Sequence, residues 1–219
     1  EEVVIPDGIK EIGTNPFLDC DSLQYIEFPE SCCKFGSLIF GSSIRSVVFP
    51  SKIDSIDKLS FANCTEIEEI KLPVGITSID DHTFSGCSKL KTVINPEGVL
   101  KIGDDAFRNC TSLSSVDIPE STIILGERCF YSCKDLKSIV LPENLVKIEK
   151  NAFLGTAPSE ITVKNPELEI NADILPDTSR LKQIYGFSGS SAQSFAQKLG
   201  IEFIPLTAEQ KITNNIAEP

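Results

Sequence analysis

Apolar residues recur along the chain at fixed positions within a unit of about 23 residues. In the unit that closes at Pro119, these positions hold Ile102, Phe107, Cys110, Leu113, Val116 and Ile118. The prolines that close the units lie 21 to 24 residues apart, and they are Pro6, Pro29, Pro50, Pro73, Pro96, Pro119, Pro142 and Pro166. This period predicts a solenoid of stacked coils, because one unit cannot bury its apolar face without neighbours on both sides.

Each closing proline follows a segment in which core and outward positions alternate, such as 136–141. Such alternation with β-branched residues predicts a short strand, and proline ends it because it cannot donate the next ladder hydrogen bond. Repeats in register therefore predict a parallel sheet with one strand per coil. The other side of each coil begins with an Ile-x-x-Ile pair such as Ile76 and Ile79. Asp104 and Asp105 then predict the cap of a single helical or 3₁₀ turn.

Two coils depart from the pattern. The second coil, which closes at Pro50, fits only with two residues deleted, and it lacks the repeat cysteine. The seventh keeps Phe153, but Thr156 replaces the cysteine. We predict about seven coils over residues 1–166, with the first truncated. The chain does not begin with methionine and starts on the tail of a repeat, so we expect a trimmed piece from which any export signal has been removed.

After residue 166 the period is lost, which predicts a C-terminal cap over residues 167–206. Ser190 or Ser191 begins a predicted helix that ends at Gly200 and has one apolar stripe, formed by Ala192, Phe195, Ala196 and Leu199. A strand is predicted at 201–204. A helix with one apolar stripe suits the open end of a solenoid core. Residues 207–219 are polar, which predicts a tail or linker.

Composition excludes several functions. The chain has 20 basic and 32 acidic residues, a net charge of −12, and an acidic surface repels phosphate backbones and anionic lipid. No apolar run approaches the roughly 18 residues of a membrane span. We therefore expect neither nucleic-acid binding nor membrane insertion.

Five of the eight cysteines follow the repeat phenylalanine by three residues, and they are Cys20, Cys64, Cys87, Cys110 and Cys133. This regularity predicts a column of small buried thiols. Neighbouring thiols in the column point in parallel, which does not suit the specific geometry of disulfides, so we expect few or none. Cys32, Cys33 and Cys129 lie off the column and are the better candidates for a bridge or a reactive thiol.

Candidate chemistry is sparse. His82 is the only histidine and lies in a predicted polar turn without a candidate nucleophile. Several aspartates recur near one repeat position: Asp57, Asp80, Asp81, Asp104 and Asp105. They are compatible with a calcium site, but capping with a solvated acidic edge is the favoured interpretation. We predict no catalytic, cofactor-binding or metal site and no cofactor.

The outward side chains of the predicted strands form the candidate partner-binding face. Repeat proteins commonly use such extended faces for recognition. β-branched residues also suit strands without any partner, so this alternative stays open. The candidate residues are Tyr25, Glu27, Val48, Glu69, Lys71, Ile94, Asp117 and Val140.

The repeat closely resembles the BspA-like leucine-rich repeat family of bacterial and protozoan surface proteins. The segments that carry the resemblance are IGDDAFRNCTSLSSVDIP, IDDHTFSGCSKLKTVINP, IDKLSFANCTEIEEIKLP and LGERCFYSCKDLKSIVLP. The ending FSGSSAQSFAQKLGIEFIPL is similar to the segment that often closes such arrays. The resemblance implies a leucine-rich-repeat solenoid. It also implies a secreted or surface-attached protein without catalytic residues that binds host or other partner proteins.

The residues and the resemblance together predict a non-enzymatic, extracellular or cell-surface protein-interaction module of adhesion type. Its partner would be a protein, with host and extracellular-matrix proteins as candidates. The first alternative is a structural spacer in a larger surface protein. The second is a carbohydrate- or wall-binding accessory module of a secreted enzyme, which the scarcity of outward aromatic residues disfavours.

Overall fold

The protein is a parallel-sheet solenoid of about nine turns, about 23 residues apart, with one helix near the C-terminal end of the described chain. The computed structural model describes residues 1–35, 38–51, 53–94, 97–175 and 177–207. The predicted fold class is confirmed. The closing residue Pro96 and the predicted tail from residue 208 onward lie outside the described residues.

The described strands are short, and their bounds in chain order are β1 (Glu2–Val4), β2 (Glu11–Ile12), β3 (Tyr25–Glu27), β4 (Lys34–Phe35), β5 (Ser46–Val48), β6 (Glu69–Lys71), β7 (Ser78–Ile79), β8 (Thr92–Ile94), β9 (Lys101–Ile102), β10 (Ile124–Leu125), β11 (Ser138–Leu141), β12 (Lys147–Ile148), β13 (Glu160–Val163), β14 (Gln183–Gly186) and β15 (Glu202–Pro205). All paired strands are parallel, as the repeat in register requires.

The strands form two ladders on different sides of the coil. The front ladder consists of the sheets β1-β3-β5, β6-β8 and β11-β13-β14-β15. The back ladder consists of β2-β4 and of β7-β9-β10-β12. The sequence predicted the front strands but not the back ones, which begin or end at the Ile-x-x-Ile segments. Two-residue strands are too short to show the alternation from which a strand is predicted.

A stack of phenylalanine rings runs through the core. The rings of Phe17, Phe40, Phe61, Phe84, Phe107, Phe130 and Phe153 follow one another with centroids 5.0 to 5.6 Å apart. Rings at this separation add a specific stacking interaction to the burial of their apolar surface. Each coil is thereby coupled to its two neighbours.

The predicted cysteine column is confirmed for the four central coils, where the column thiols are fully buried. The thiol of Cys87 donates to the carbonyl oxygen of Phe61 at 3.0 Å, and that of Cys110 donates to Phe84 at 3.1 Å. Burial raises the pKa of the Cys87 thiol to about 12. Because the thiolate is the nucleophilic form, these thiols are chemically inert in the folded protein.

The cysteines off the column differ from expectation. Cys33 is exposed and remains a candidate for a reactive thiol, whereas Cys32 and Cys129 are buried. Burial raises the pKa of the Cys129 thiol well above its ordinary value. Burial and the absence of a bridge therefore contradict Cys32 and Cys129 as candidates for a bridge or a reactive thiol. Cys129 packs into the hydrophobic core, which the repeat frame did not indicate.

The predicted helical turn before each phenylalanine is also wrong. The segment forms hydrogen-bonded turns in which Asp105 and Asn109 take left-handed conformations, with φ of 53° and 59°. The turns bond to the next coil instead of continuing as a helix, and the Phe107 N–H donates to the carbonyl of Cys129 at 2.7 Å. The Asp104 carboxylate likewise accepts from the N–H of Glu127, one coil later, at 2.8 Å.

The C-terminal helix is confirmed. α1 (Ser191–Leu199) begins after the N-cap Ser190 and ends at Gly200, whose φ of 67° is left-handed. The strand predicted at 201–204 is β15. The pairing of β13 with β14 and of β14 with β15 continues the front ladder past residue 166, so the solenoid extends beyond the seven predicted coils. A division into repeats over 1–166 and a closing cap over 167–206 remains a proposal.

Candidate interaction face

The front ladder presents two columns of side chains outward, which together we call the front face. In β5, Val47 is buried while Ser46 and Val48 are exposed, and β6 and β8 repeat this pattern. Successive residues of a strand point to opposite sides of a sheet, so one buried residue separates two outward ones in each coil. The coil around Asp117 has no strand at this position but keeps the same alternation.

The structure places every predicted face residue on the front face. Val48, Ile94 and Val140 are 41%, 43% and 36% exposed, which is high for apolar side chains. The charged predicted residues are exposed as well, and they are Glu27, Glu69, Lys71 and Asp117. Their binding role remains a prediction.

Tyr25 is half-buried, and its hydroxyl donates to a carboxylate oxygen of Glu27 at 2.8 Å. This hydrogen bond is the main reason that the pKa of Tyr25 is raised above its ordinary value. The tyrosine therefore lies along the sheet surface, tied to its neighbour, instead of standing free as an aromatic platform.

From Val4 to Val140, the second outward column alternates between apolar and charged residues from coil to coil. The strand registers align Val4, Glu27 and Val48, and they align Lys71 with Ile94. The repeat frame then adds Asp117 and Val140. The register continues from Val140 through the remaining front strands to Thr162, Tyr185 and Ile204.

Sequence reasoning missed four members of this column. Val4 had a usable signal, because its neighbours Val3 and Ile5 match the core positions of the complete repeats. Thr162, Tyr185 and Ile204 had no such signal, since the residue period is lost after 166. Only the register of β13, β14 and β15 aligns them with Val140.

The front face is acidic. Its two columns carry one basic residue, Lys71, and six acidic residues, which are Glu2, Glu27, Glu69, Asp117, Glu160 and Glu202. Two cations beside the columns are already paired, since Lys89 and Lys91 lie 2.6 Å and 2.7 Å from Glu66 and Glu68. The hydrogen bond from Lys89 lowers the pKa of Glu66, so this pair stays charged at neutral pH.

The aspartates near the repeat turn are engaged in structural contacts. Asp81 accepts from the N–H of Asp104 at 2.9 Å, which is the same link between coils that Asp104 makes with Glu127. The buried carboxylate of Asp105 lies 3.1 Å from Arg128 and 3.4 Å from Arg108. Over the described ranges, no group of three or more His, Cys, Asp or Glu side chains is placed to hold a metal ion.

The last candidate features are His82 and possible membrane-spanning helices. His82 is half-buried in a left-handed turn, and its backbone N–H donates to Asp104 at 2.9 Å. Its place in the turn is as predicted. Within the part of the chain that the structure describes, no helix has the length and apolar character needed to cross a membrane.

Comparison with known proteins identifies the repeat. The family model for the BspA type leucine rich repeat region matches in six copies, over residues 1–113, 60–182 and 100–215. No curated protein sequence gives a significant match.

Two solved structures share the architecture. The leucine-rich repeat protein TpLRR of T. pallidum is 23% identical, with 92% of this chain and 98% of that chain covered and a TM-score of 0.54. The pneumococcal vaccine antigen PcpA is 18% identical, with 95% and 68% covered and a TM-score of 0.54. At these identities the likeness concerns the fold alone.

Proposed function

This chain belongs to the BspA-type leucine-rich repeat family, and from this we propose that it is a non-enzymatic protein-interaction module of a secreted or cell-surface protein. Repeat domains of this kind commonly mediate contacts between proteins, because stacked coils make one extended surface. The front face is the recognition surface. The name of its structural relative PcpA, a pneumococcal vaccine antigen, is in keeping with a surface location.

The alternating column of the front face carries the proposal. Strand propensity alone accounts for β-branched residues at outward positions, but it does not require that they alternate with charges from coil to coil. Val48, Ile94 and Val140 each lie between charged or polar neighbours along the column. Isolated apolar anchors surrounded by polar groups are typical of protein interfaces, in which a few residues supply most of the binding energy.

The test compares two triple variants of the full chain. The face variant replaces Val48, Ile94 and Val140 by serine. The control variant replaces Leu100, Ile123 and Val146 by serine, which are exposed apolar residues at one repeat position outside the front ladder. Both variants remove three exposed apolar side chains, so a change in nonspecific hydrophobic binding affects both alike.

The biotinylated protein is applied to an array of purified secreted and extracellular-matrix proteins. We expect captured partners to bind the wild type and the control variant equally. They should bind the face variant at least about tenfold more weakly, because one interface anchor contributes about 1 kcal/mol or more to the binding free energy. Equal losses in both variants would refute the assignment of the front face. Absence of any captured protein would favour the spacer alternative.

A further inference from the structure

We propose that the gap between β5 and β6 is a docking site for an extended peptide segment of a partner protein, and that this segment carries a carboxylate. The gap opens in the front face, so the inference rests on the proposed function and names the chemistry of the partner. It is argued from four observations: a broken ladder, an irregular coil next to it, the lining of the gap, and an unpaired cation.

The front ladder is broken at this place. β5 pairs only with β3, and β6 pairs only with β8, although β5 and β6 belong to consecutive coils. The ladder is also interrupted at residues 115–117, which form no strand, whereas its other strands of consecutive coils are hydrogen-bonded to each other. Two strand edges therefore face each other here without pairing. We call this place the joint.

The joint directly follows the irregular second coil. Pro29 and Pro50 are 21 residues apart instead of 23, although β3 and β5 still pair in register across this short coil. The back ladder is interrupted at the same coil, since β4 pairs only with β2. The ring planes of Phe40 and Phe61 are tilted by 26° across the joint, compared with 2° between Phe107 and Phe130. Within the phenylalanine stack, neighbouring rings are thus least parallel across the joint.

The joint leaves backbone groups unpaired. At regular positions the N–H of Phe28 donates to Val48 at 3.0 Å, and the N–H of Leu72 donates to Ile94 at 3.0 Å. The equivalent N–H of Phe49 has no backbone acceptor among the described residues. An open strand edge of this kind is a template for another extended chain, and added strands are a recurrent mode of peptide recognition.

A cleft of about 310 Å³ opens at the joint. Val48, Phe49 and Val74 line it with apolar surface, and Val74 is 70% exposed. Apolar side chains of an extended peptide would pack against these residues while its backbone bonds to the strand edge.

Lys71 supplies the charge at the cleft. Its side chain is exposed, lines the cleft, and makes no ion pair with any described residue. The other charged lining residue, Glu30, already accepts from the backbone and the hydroxyl of Ser51 at 3.1 Å and 2.8 Å. A carboxylate of the peptide is therefore placed at Lys71, where a charge-assisted hydrogen bond forms, and away from Glu30.

Docking requires the joint to open. A peptide strand between β5 and β6 needs them about 9.6 Å apart, twice the usual strand spacing. Cα atoms of the two strands lie no more than 8 Å apart, so the joint must open by at least about 2 Å. This opening breaks no ladder hydrogen bond between β5 and β6, because none exists there.

The probe is an acetylated hexapeptide of alternating threonine and valine with a free C-terminal carboxylate, and amide hydrogen exchange of the full chain is the readout. We expect the amides of Phe49 and Glu68 to exchange quickly in the free protein and at least tenfold more slowly with saturating peptide. The C-terminally amidated peptide should bind at least fivefold more weakly to the wild type. Lys71→Gln should abolish this preference, whereas Lys101→Gln, which removes an exposed lysine of the back ladder, should retain it.

Several outcomes would overturn the docking site. A backbone N-methylated peptide that binds as well as the probe would show that the strand edges do not contribute. Protection that rises with protein concentration, without peptide, would assign the joint to a second copy of the chain. No binding at millimolar peptide, with partner capture still sensitive to the triple face variant, would refute the docking site and leave the proposed function standing. Loss of that sensitivity would refute the proposed function itself.

Discussion

Gly126 is the position at which the close stacking of coils is most directly testable. A Cβ atom at Gly126 would lie 2.6 Å from an Asp104 carboxylate oxygen, 2.6 Å from the carbonyl carbon of Gly103 and 2.7 Å from the Asp104 nitrogen. Two of these three atoms belong to the backbone of the preceding coil and cannot rotate away. Gly126→Ala must therefore push two coils apart.

The expected cost has two parts. Overpacking of this kind costs about 1–3 kcal/mol. Displacing the Asp104 carboxylate also weakens its hydrogen bond to the N–H of Glu127, now 2.8 Å long, and a hydrogen bond to a charged group is worth about 1.5–3 kcal/mol. The sum is about 2.5–6 kcal/mol. For a chain of this size that corresponds to a fall in melting temperature of about 5–24 °C.

Gly13 provides the matched control. It holds the same repeat position in the first coil, and a Cβ atom there would meet nothing within 4 Å. Gly13→Ala should leave stability unchanged or raise it by up to about 1 kcal/mol, because alanine restricts the unfolded chain. Adding Asp104→Ala to Gly126→Ala should recover only part of the loss, since the backbone contacts remain.

Thermal and urea unfolding followed by circular dichroism measure both variants. If Gly126→Ala unfolds within 0.5 kcal/mol of the wild type, or if Gly13→Ala is equally destabilised, the close approach of coils does not limit the residue at this position. The argument from stacking would then be wrong.

Three further predictions concern the core. Alkylation of the native protein, followed by mass analysis, should modify Cys33 fast and half-buried Cys20 more slowly. All eight thiols should react only after unfolding, and rapid alkylation of Cys87 in the native protein would contradict this. Burial raises the pKa of Cys87 and Cys133 to about 12, so their stabilisation is present below the ordinary pKa of 9.0 and is lost as pH rises towards 12. The free energy of unfolding, measured with urea, should therefore fall by about 1.4 kcal/mol per pH unit for each thiol in this range, and by less in Cys87→Ala. Phe107→Ala should cost about 3–5 kcal/mol by urea unfolding, and Phe107→Leu clearly less.

Much of the front face could be predicted from sequence because its chemistry is local. Val48 points outward because it lies between Val47 and Phe49 in a strand whose side chains alternate between the two faces, and this alternation is visible in the sequence. The same holds for α1, whose cap residue Ser190 and terminating Gly200 lie beside the helix they bound. The joint could not be predicted in the same way. The short second coil was visible, but the missing pairing of β5 with β6 was not.

The sequence by itself determined the coil: its length, its buried positions, the phenylalanine and cysteine columns, and the outward residues between them. These follow from which side chains must leave water, and the residue pattern records that directly. Only the tertiary structure decided how one coil meets the next. The back ladder, the links from Asp104 to Glu127, the continued coils beyond residue 166 and the open joint all depend on backbone groups. Every residue carries the same backbone donors and acceptors, so their pairing is set by the relative placement of coils and leaves little trace in the side chains.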